Sequence, residues 1–291
     1  MIGLYIQYKG EDRMLLKIEG VEFSYPSVPV LKDISFEVDG ARLISVLGPN
    51  GVGKSTLIHC MNKILVPTCG VVTIDGKDVV KMPLKELAKE MGYVPYSSSD
   101  TFPLTVIDTV LMGRHPYSRW RSLDNDLEIV YETLKLMGIE HLAMRPFNEL
   151  SAGQHQKVML ARGLVQEPKV LLLDEPTSNL DIRHQLEVTR ILRDLSRKKQ
   201  ISIVMISHDL NIAAKYSDSM ILMHEGSIHS IGEPKDVITE ENLRTVYGVD
   251  SLVIFDSGRP HIILRDSASQ ETEADGSAIG RSPMPAVSYT N

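Results

Sequence analysis

The sequence predicts an α/β fold with a helical insertion, and three observations carry that expectation. Short, mostly apolar runs at 43–47, 170–173 and 201–206 read as strands covered on both faces. Between the last two lies a stretch with Val188, Ile191, Leu192 and Leu195 on one side and basic residues at its end, the pattern of an amphipathic helix. From about Thr105 to Val165 the patterns are helical throughout.

Leu15 to Tyr25 and Ile34 to Val38 show the period-two patterning of strands. Leu43 to Leu47 follows and runs into a glycine-rich loop and the start of a helix. Val71 to Ile74 is a further strand, closed by Asp75 and Gly76, a hairpin-type turn. Thr105 and Asp108 have the spacing of a capping box and open a helix with Val106, Ile107, Val110 and Leu111 on one face. Met220 to Met223 and Ser227 to Ile231 suggest a final strand pair turning at Glu225 and Gly226. Residues 1–13 are an N-terminal extension. Residues 266–291, rich in Ser, Ala, Gly and acids, are expected to be a disordered tail.

The 291 residues carry a net charge of −7, which argues against broad nucleic-acid binding, because that function rests on a basic face. No apolar run reaches the roughly 20 residues needed to span a bilayer. Met1 to Arg13 lacks the apolar core of a secretory leader. Cys60, expected on a helix, and Cys69, expected in a turn, read as two reduced thiols, since no CxxC or Cys/His spacing surrounds them.

Gly48, Pro49, Asn50, Gly51, Val52, Gly53, Lys54 and Ser55, followed by Thr56, match G-x-x-x-x-G-K-[ST]. The glycines let successive N–H groups turn inward on phosphate oxygens, and the helix starting near Lys54 aims its positive end at the same anion. Lys54 is expected to reach the β- and γ-phosphates and Ser55 to ligate Mg²⁺. A chance glycine turn is the plain alternative, weakened by the strand before and the helix after. Kinases, GTPases, helicases and transport ATPases all use such a cradle. Further along, Val170 to Leu173 is an apolar strand ending in Asp174 and Glu175. A strand buried on both faces delivers these acids to its C-terminal edge, where ligands bind in open α/β sheets. Asp174 fits the metal side and Glu175 a general base acting on water. One of them could instead cap the following helix. His208, just past the third apolar strand, could contact a γ-phosphate or orient the water.

Leu150, Ser151, Ala152, Gly153 and Gln154 resemble the LSGGQ signature of ABC transporter ATPases, with alanine in the middle. The other motifs fall in that family's order: Tyr25, the phosphate loop, the signature, the strand acids, Ser178 to Asp181 resembling the D-loop, and His208 resembling the switch histidine. The resemblance covers residues 14–265 and implies one nucleotide-binding domain. That domain would have a P-loop NTPase ABC-type core, an N-terminal antiparallel β-subdomain and an inserted α-helical subdomain at about 97–165. It implies ATP and Mg²⁺ as ligands and a head-to-tail homodimer. Ser151, Gly153 and Gln154, at a helix N-terminus suited to anions, would then serve the γ-phosphate held by the other subunit, and Asp181 would bind nucleotide as part of the D-loop. Tyr25 would stack on adenine, although spacing alone reads equally as an ordinary strand-end tyrosine.

One position departs from the family. Where its pattern Gly92, Tyr93, Val94, Pro95 is followed by glutamine, this chain has Tyr96, then Ser97, Ser98 and Ser99. A phenol is a poorer neutral metal ligand than an amide carbonyl. Tyr96 could point away while a serine or water takes its place, could slow turnover and alter coupling, or could have little effect. The run from Phe102 to Pro116, with Gly113 and Arg114, resembles the ATPases of iron–siderophore, haem and cobalamin importers, whose groove there receives a permease helix. The plain reading is a helical core, and both readings are compatible.

The expectation is therefore an ATP-hydrolysing subunit of a metal-chelate importer, a homodimer peripheral to the cytoplasmic face of the membrane beneath separate permease subunits. A periplasmic or extracellular binding protein would be an indirect partner. The rivals are an ATPase for another cargo, such as an oxyanion or an exported substrate, and a slow nucleotide-gated regulatory subunit, for which Tyr96 is the support.

Overall fold

The computed structural model describes residues 14–26, 28–96, 104–117 and 123–265. The N-terminal extension, Ser97 to Ser99, Phe102 and the C-terminal tail lie outside these residues. The chain opens with β1 (Met14–Tyr25) and β2 (Val28–Asp39), then β3 (Leu43–Leu47) and α1 (Lys54–Met61). Next come β4 (Cys69–Ile74), β5 (Lys77–Asp78), α2 (Leu84–Glu90) and β6 (Met91–Val94). A helical stretch follows: α3 (Val106–Leu111), α4 (Leu123–Leu136) and α5 (Ala152–Leu164), with 3₁₀ turns between them. The core resumes with β7 (Val170–Leu173), α6 (Ile182–Lys199), β8 (Ser202–Ile206), α7 (Leu210–Tyr216), β9 (Ser219–His224) and β10 (Ser227–Gly232). Two short helices, α8 (Pro234–Val237) and α9 (Glu240–Tyr247), lead to β11 (Ser251–Asp256) and β12 (Arg259–Leu264).

The strands form an antiparallel sheet ordered β2-β1-β4-β5, a six-stranded sheet ordered β10-β9-β3-β8-β7-β6, and the hairpin β11-β12. Within the six-stranded sheet β9, β3, β8, β7 and β6 run parallel, and β10 is an antiparallel edge. The apolar runs are explained by what lies on each face. Val170 and Leu172 of β7, with Val204 and Ile206 of β8, enter a core shared with α1 and the antiparallel sheet. Leu171 and Leu173, with Ile203 and Met205, enter a second core shared with α3, α4, α5 and α6. Period-two alternation is hidden there because both faces are buried.

The α/β architecture with its antiparallel sheet and helical insertion is as expected. Thr105 caps α3, its hydroxyl accepting the Asp108 amide proton at 3.2 Å, and Val106 and Val110 are fully buried. Three local expectations need correction. The strand read at Ile34 to Val38 is the C-terminal half of β2, whose exposed start shows no pattern. Cys69 does not lie in a turn: it opens β4 and is exposed, opposite Glu22 of β1. The pair β9 and β10 is not the last, because β11 and β12 follow. That hairpin rests on α7 through few fixed points, Asn211 holding the Ile262 amide at 2.7 Å and Arg259 donating to the Ser217 carbonyl at 2.6 Å. Phe255 and Leu264 remain exposed; β12 alternates only from Arg259 to Ile263, with Pro260 and Ile262 buried, and β11 does not alternate.

The run containing Gly113 and Arg114 anchors the helical insertion. Arg114 is 2% exposed. Its Nε donates to Asp126 Oδ1 of α4 at 2.9 Å, and Nη1 donates to the Val165 carbonyl at 2.5 Å and Glu167 Oε2 at 3.0 Å. The Tyr117 ring lies 4.2 Å from the guanidinium. A Cβ on Gly113 would sit 2.3 Å from the Arg162 carbonyl oxygen, so only glycine lets this turn reach α5.

Candidate functional site

The phosphate loop is shaped by backbone that other residues rarely adopt. Gly48, Gly51 and Gly53 have φ of 143°, 80° and 105°. A Cβ on Gly48 would lie 2.5 Å from the Met223 carbonyl oxygen, and one on Gly53 2.9 Å from a Leu31 methyl. Gly48→Ala should therefore distort the loop and weaken Mg-ATP binding by roughly tenfold or more, given the 1–3 kcal/mol typical of such strain; equilibrium binding of a fluorescent ATP analogue checks this, and unchanged affinity would contradict it. Val52 packs against the core, and Thr56 is buried in α1. Lys54 is buried, and its ammonium donates to the carbonyls of Gly48 and Pro49, both at 2.8 Å. Burial lowers its pKa, while the Glu175 and Asp174 carboxylates oppose that shift. The N-terminal amides of α1 and this ammonium face one cleft of about 620 Å³.

The ends of β7 and β8 complete that cleft. Ser55 donates to Asp174 Oδ1 at 3.1 Å. Asp174 is 6% exposed, and burial raises its pKa against the Ser55 hydrogen bond. A buried carboxylate and a neighbouring hydroxyl are a donor set for a hard cation, which would favour the ionised acid. The chain then turns sharply: Glu175 has φ of 51°, a left-handed conformation that costs a non-glycine residue energy. The turn sends Glu175 to His208, whose Nε2 lies 2.5 Å from Oε1. Asn50, Gly51, Lys54, Ser55, Asp174, Glu175 and His208 thus line one opening. Tyr25 stands at its rim, 46% exposed, edge-on to Phe23 at 5.0 Å between centroids.

The remaining candidates stand elsewhere. Ser151 and Gln154 form a reciprocal capping box at the start of α5, and Gly153 is buried. Asp181 caps α6, accepting the His184 amide proton at 2.9 Å, and that bond, with the His184 ring, lowers its pKa. None of these four lines the phosphate cleft of its own chain. Tyr96, 48% exposed, lines both that cleft and a cavity of about 240 Å³ beside α5 that also includes Ala152, Gln156 and Glu175.

Two residues beneath the site escaped the sequence reading. His59 Nε2 and the Tyr93 hydroxyl are 3.1 Å apart, and burial, with the nearby Asp174 charge, pushes the Tyr93 phenol up to about 12. The available signal was positional: His59 follows Ser55 by one helical turn, and Tyr93 sits two residues before Pro95.

The ABC transporter family matches residues 31–178. An uncharacterized ABC transporter ATP-binding protein of Methanocaldococcus jannaschii is 46% identical over 250 residues, covering 86% of this chain and 98% of the relative. The cobalamin import ATP-binding protein BtuD of Halobacterium salinarum is 33% identical, covering 94% of this chain and 70% of its own length. The ferric enterobactin transport ATP-binding protein FepC of Escherichia coli is 34% identical over 254 residues, covering 85% of this chain and 93% of the relative. Among solved structures, a metal-chelate type ABC transporter in an inward-facing conformation superposes with a TM-score of 0.76 at 27% identity, covering 87% of this chain and 98% of that one. CbiO1 of Clostridium perfringens, part of the CbiONQ transporter complex, superposes with a TM-score of 0.72 at 33% identity, covering 81% and 94%.

Proposed function

The chain belongs to the ABC transporter family, as an ATP-binding subunit and an ATPase, and on that premise we propose that it powers import of a metal chelate through separate permease subunits. No described helix is long and apolar enough to cross a membrane, which agrees with a peripheral place on the cytoplasmic face. The import assignment rests on relatives named for cobalamin and ferric enterobactin transport. A binding protein outside the membrane would deliver the cargo.

One observation carries the mechanism: the phosphate cleft and the signature helix are both formed, and Ser151, Gly153, Gln154 and Asp181 do not line the phosphate cleft of their own chain. Two copies placed head to tail would bring Ser151, Gly153, Gln154 and Asp181 of each to the nucleotide held by the other. Lys54 and the α1 amides bind the phosphates, and Tyr25 offers an exposed ring to the base. Ser55 and Asp174 would hold Mg²⁺, which supplies charge neutralisation at the phosphate oxygens. Glu175 accepts a proton from the attacking water, and His208, with Nε2 2.5 Å from its carboxylate, fixes its orientation and reaches toward the γ-phosphate position.

Turnover of Mg-ATP measured against protein concentration tests the two-subunit site. It should rise faster than linearly, as a second-order assembly requires; strictly proportional activity would mean that each chain works alone. Tyr96→Gln belongs in the same assay. Because Tyr96 borders both cavities, a slow, gated subunit is the second reading. It predicts negligible native turnover that Tyr96→Gln restores, whereas comparable turnover in both proteins removes it.

A further inference from the structure

We propose that His184 is a positioning residue that fixes the signature helix to the loop of Asp181, so that the two groups offered to a second subunit move as one body. This rests on the two-subunit reading above. Two contacts between α5 and α6, and one within the start of α6, carry it. The His184 ring lies flat on Gly153: a Cβ there would be 2.8 Å from Cδ2, 3.2 Å from Cγ and 3.3 Å from Nε2. The same ring is tethered at its other side, its Nδ1 lying 2.8 Å from Asp181 Oδ1. A carboxylate only accepts, so Nδ1 carries the proton. One turn further along both helices, Lys157 Nζ and Glu187 Oε1 pair at 2.7 Å.

The imidazole is therefore a spacer fixed at one face and one edge. Its ring plane sets the height of the first turn of α5, and Nδ1 sets its rotation against the α6 cap. Gly153 is the residue that lets the ring in, because any larger side chain would push it off Asp181. The signature glycine is then required by the chain's own packing as well as by an anion. A rigid pair of groups costs less ordering on association than two independent ones. His184 does not line the phosphate cleft, so its loss should weaken assembly and leave nucleotide binding by one chain intact.

The test uses full-length protein in a Glu175→Gln background, where turnover does not dissipate the ATP-bound state. Dimerisation with Mg-ATP is followed by sedimentation across protein concentrations. Mg-ATP affinity is measured well below the association range, and thermal stability is recorded alongside. His184→Ala should raise the half-association concentration by about tenfold, the scale of coupling between residues in contact. Mg-ATP affinity should stay within about twofold on the same grounds of separation from the cleft. His184→Phe keeps the ring on Gly153 without the Asp181 bond, and His184→Asn keeps a donor for Asp181 without the ring. Each should show part of the shift, and they decide the matter if the alanine variant does not fold. Association equal to the parent in all three overturns the proposal, as does a shift that tracks lost thermal stability or lost Mg-ATP affinity. Failure of the Glu175→Gln parent to associate at all would instead overturn the two-subunit reading, and this proposal with it.

Discussion

Glu175→Gln should bind Mg-ATP with near-native affinity and hydrolyse it roughly 10²–10⁴-fold more slowly, the range associated with losing a positioned general base. The substitution spares Lys54, Ser55 and Asp174, to which the proposed function gives the phosphate and metal contacts. It replaces the carboxylate that meets His208 at 2.5 Å with an amide of nearly the same shape. An amide nitrogen has no free lone pair to take a proton from water, whereas its oxygen can still accept a hydrogen bond. Binding and turnover should consequently separate, and the bound nucleotide should hold the closed dimer. Single-turnover hydrolysis set beside equilibrium binding measures both. Hydrolysis at the native rate would remove Glu175 from the reaction and leave His208 or a water network as the base.

Arg114→Met should destabilise the fold by about 3–5 kcal/mol, the cost of breaking a buried ion pair from one side. The substitution leaves Asp126, 7% exposed, without its guanidinium partner, and frees the Val165 carbonyl at the C-terminal end of α5. Adding Asp126→Leu to the same chain should recover much of the loss, because replacing both partners by apolar groups avoids an uncompensated charge. Denaturant unfolding monitored by circular dichroism reports both variants. A single-variant loss within about 0.5 kcal/mol, the range of ordinary surface changes, would show that the pair is not an anchor. The result bears on function because Arg114 joins the turn after α3 to α4 and α5, and α5 carries Ser151 and Gln154 at its start. A loosened insertion should lose ATP-driven assembly before it loses ATP binding.

Much of the site was legible because its chemistry is local. Leu43 to Ser55 encode strand, loop and helix in one continuous stretch, and the glycines at 48, 51 and 53 permit the positive φ values that the loop adopts. The adjacency of Asp174 and Glu175 to an apolar strand likewise places both at a sheet edge. What could not be read is how they divide the work. The left-handed backbone at Glu175 sends the two acids to different partners, Asp174 to Ser55 and Glu175 to His208. That conformation is disfavoured for glutamate, and it persists through surrounding contacts that lie far away in sequence.

The run around Gly113 and Arg114 shows the same division. Its likeness to importer ATPases was visible from its residues. Its role as an anchor depends on Asp126, Val165 and Glu167, which no periodicity connects to Arg114. By itself, the sequence determined the alternating α/β order, the phosphate loop, the two acids and the signature, because each is written within a few residues and governed by backbone propensity or burial period. Only the tertiary structure decided that His59 and Tyr93 lie beneath Asp174, that the His184 ring fills the space beside Gly153, and that the β11–β12 hairpin packs on α7. Those are contacts across layers, set by strand order and side-chain volume, and neither leaves a repeating mark along the chain.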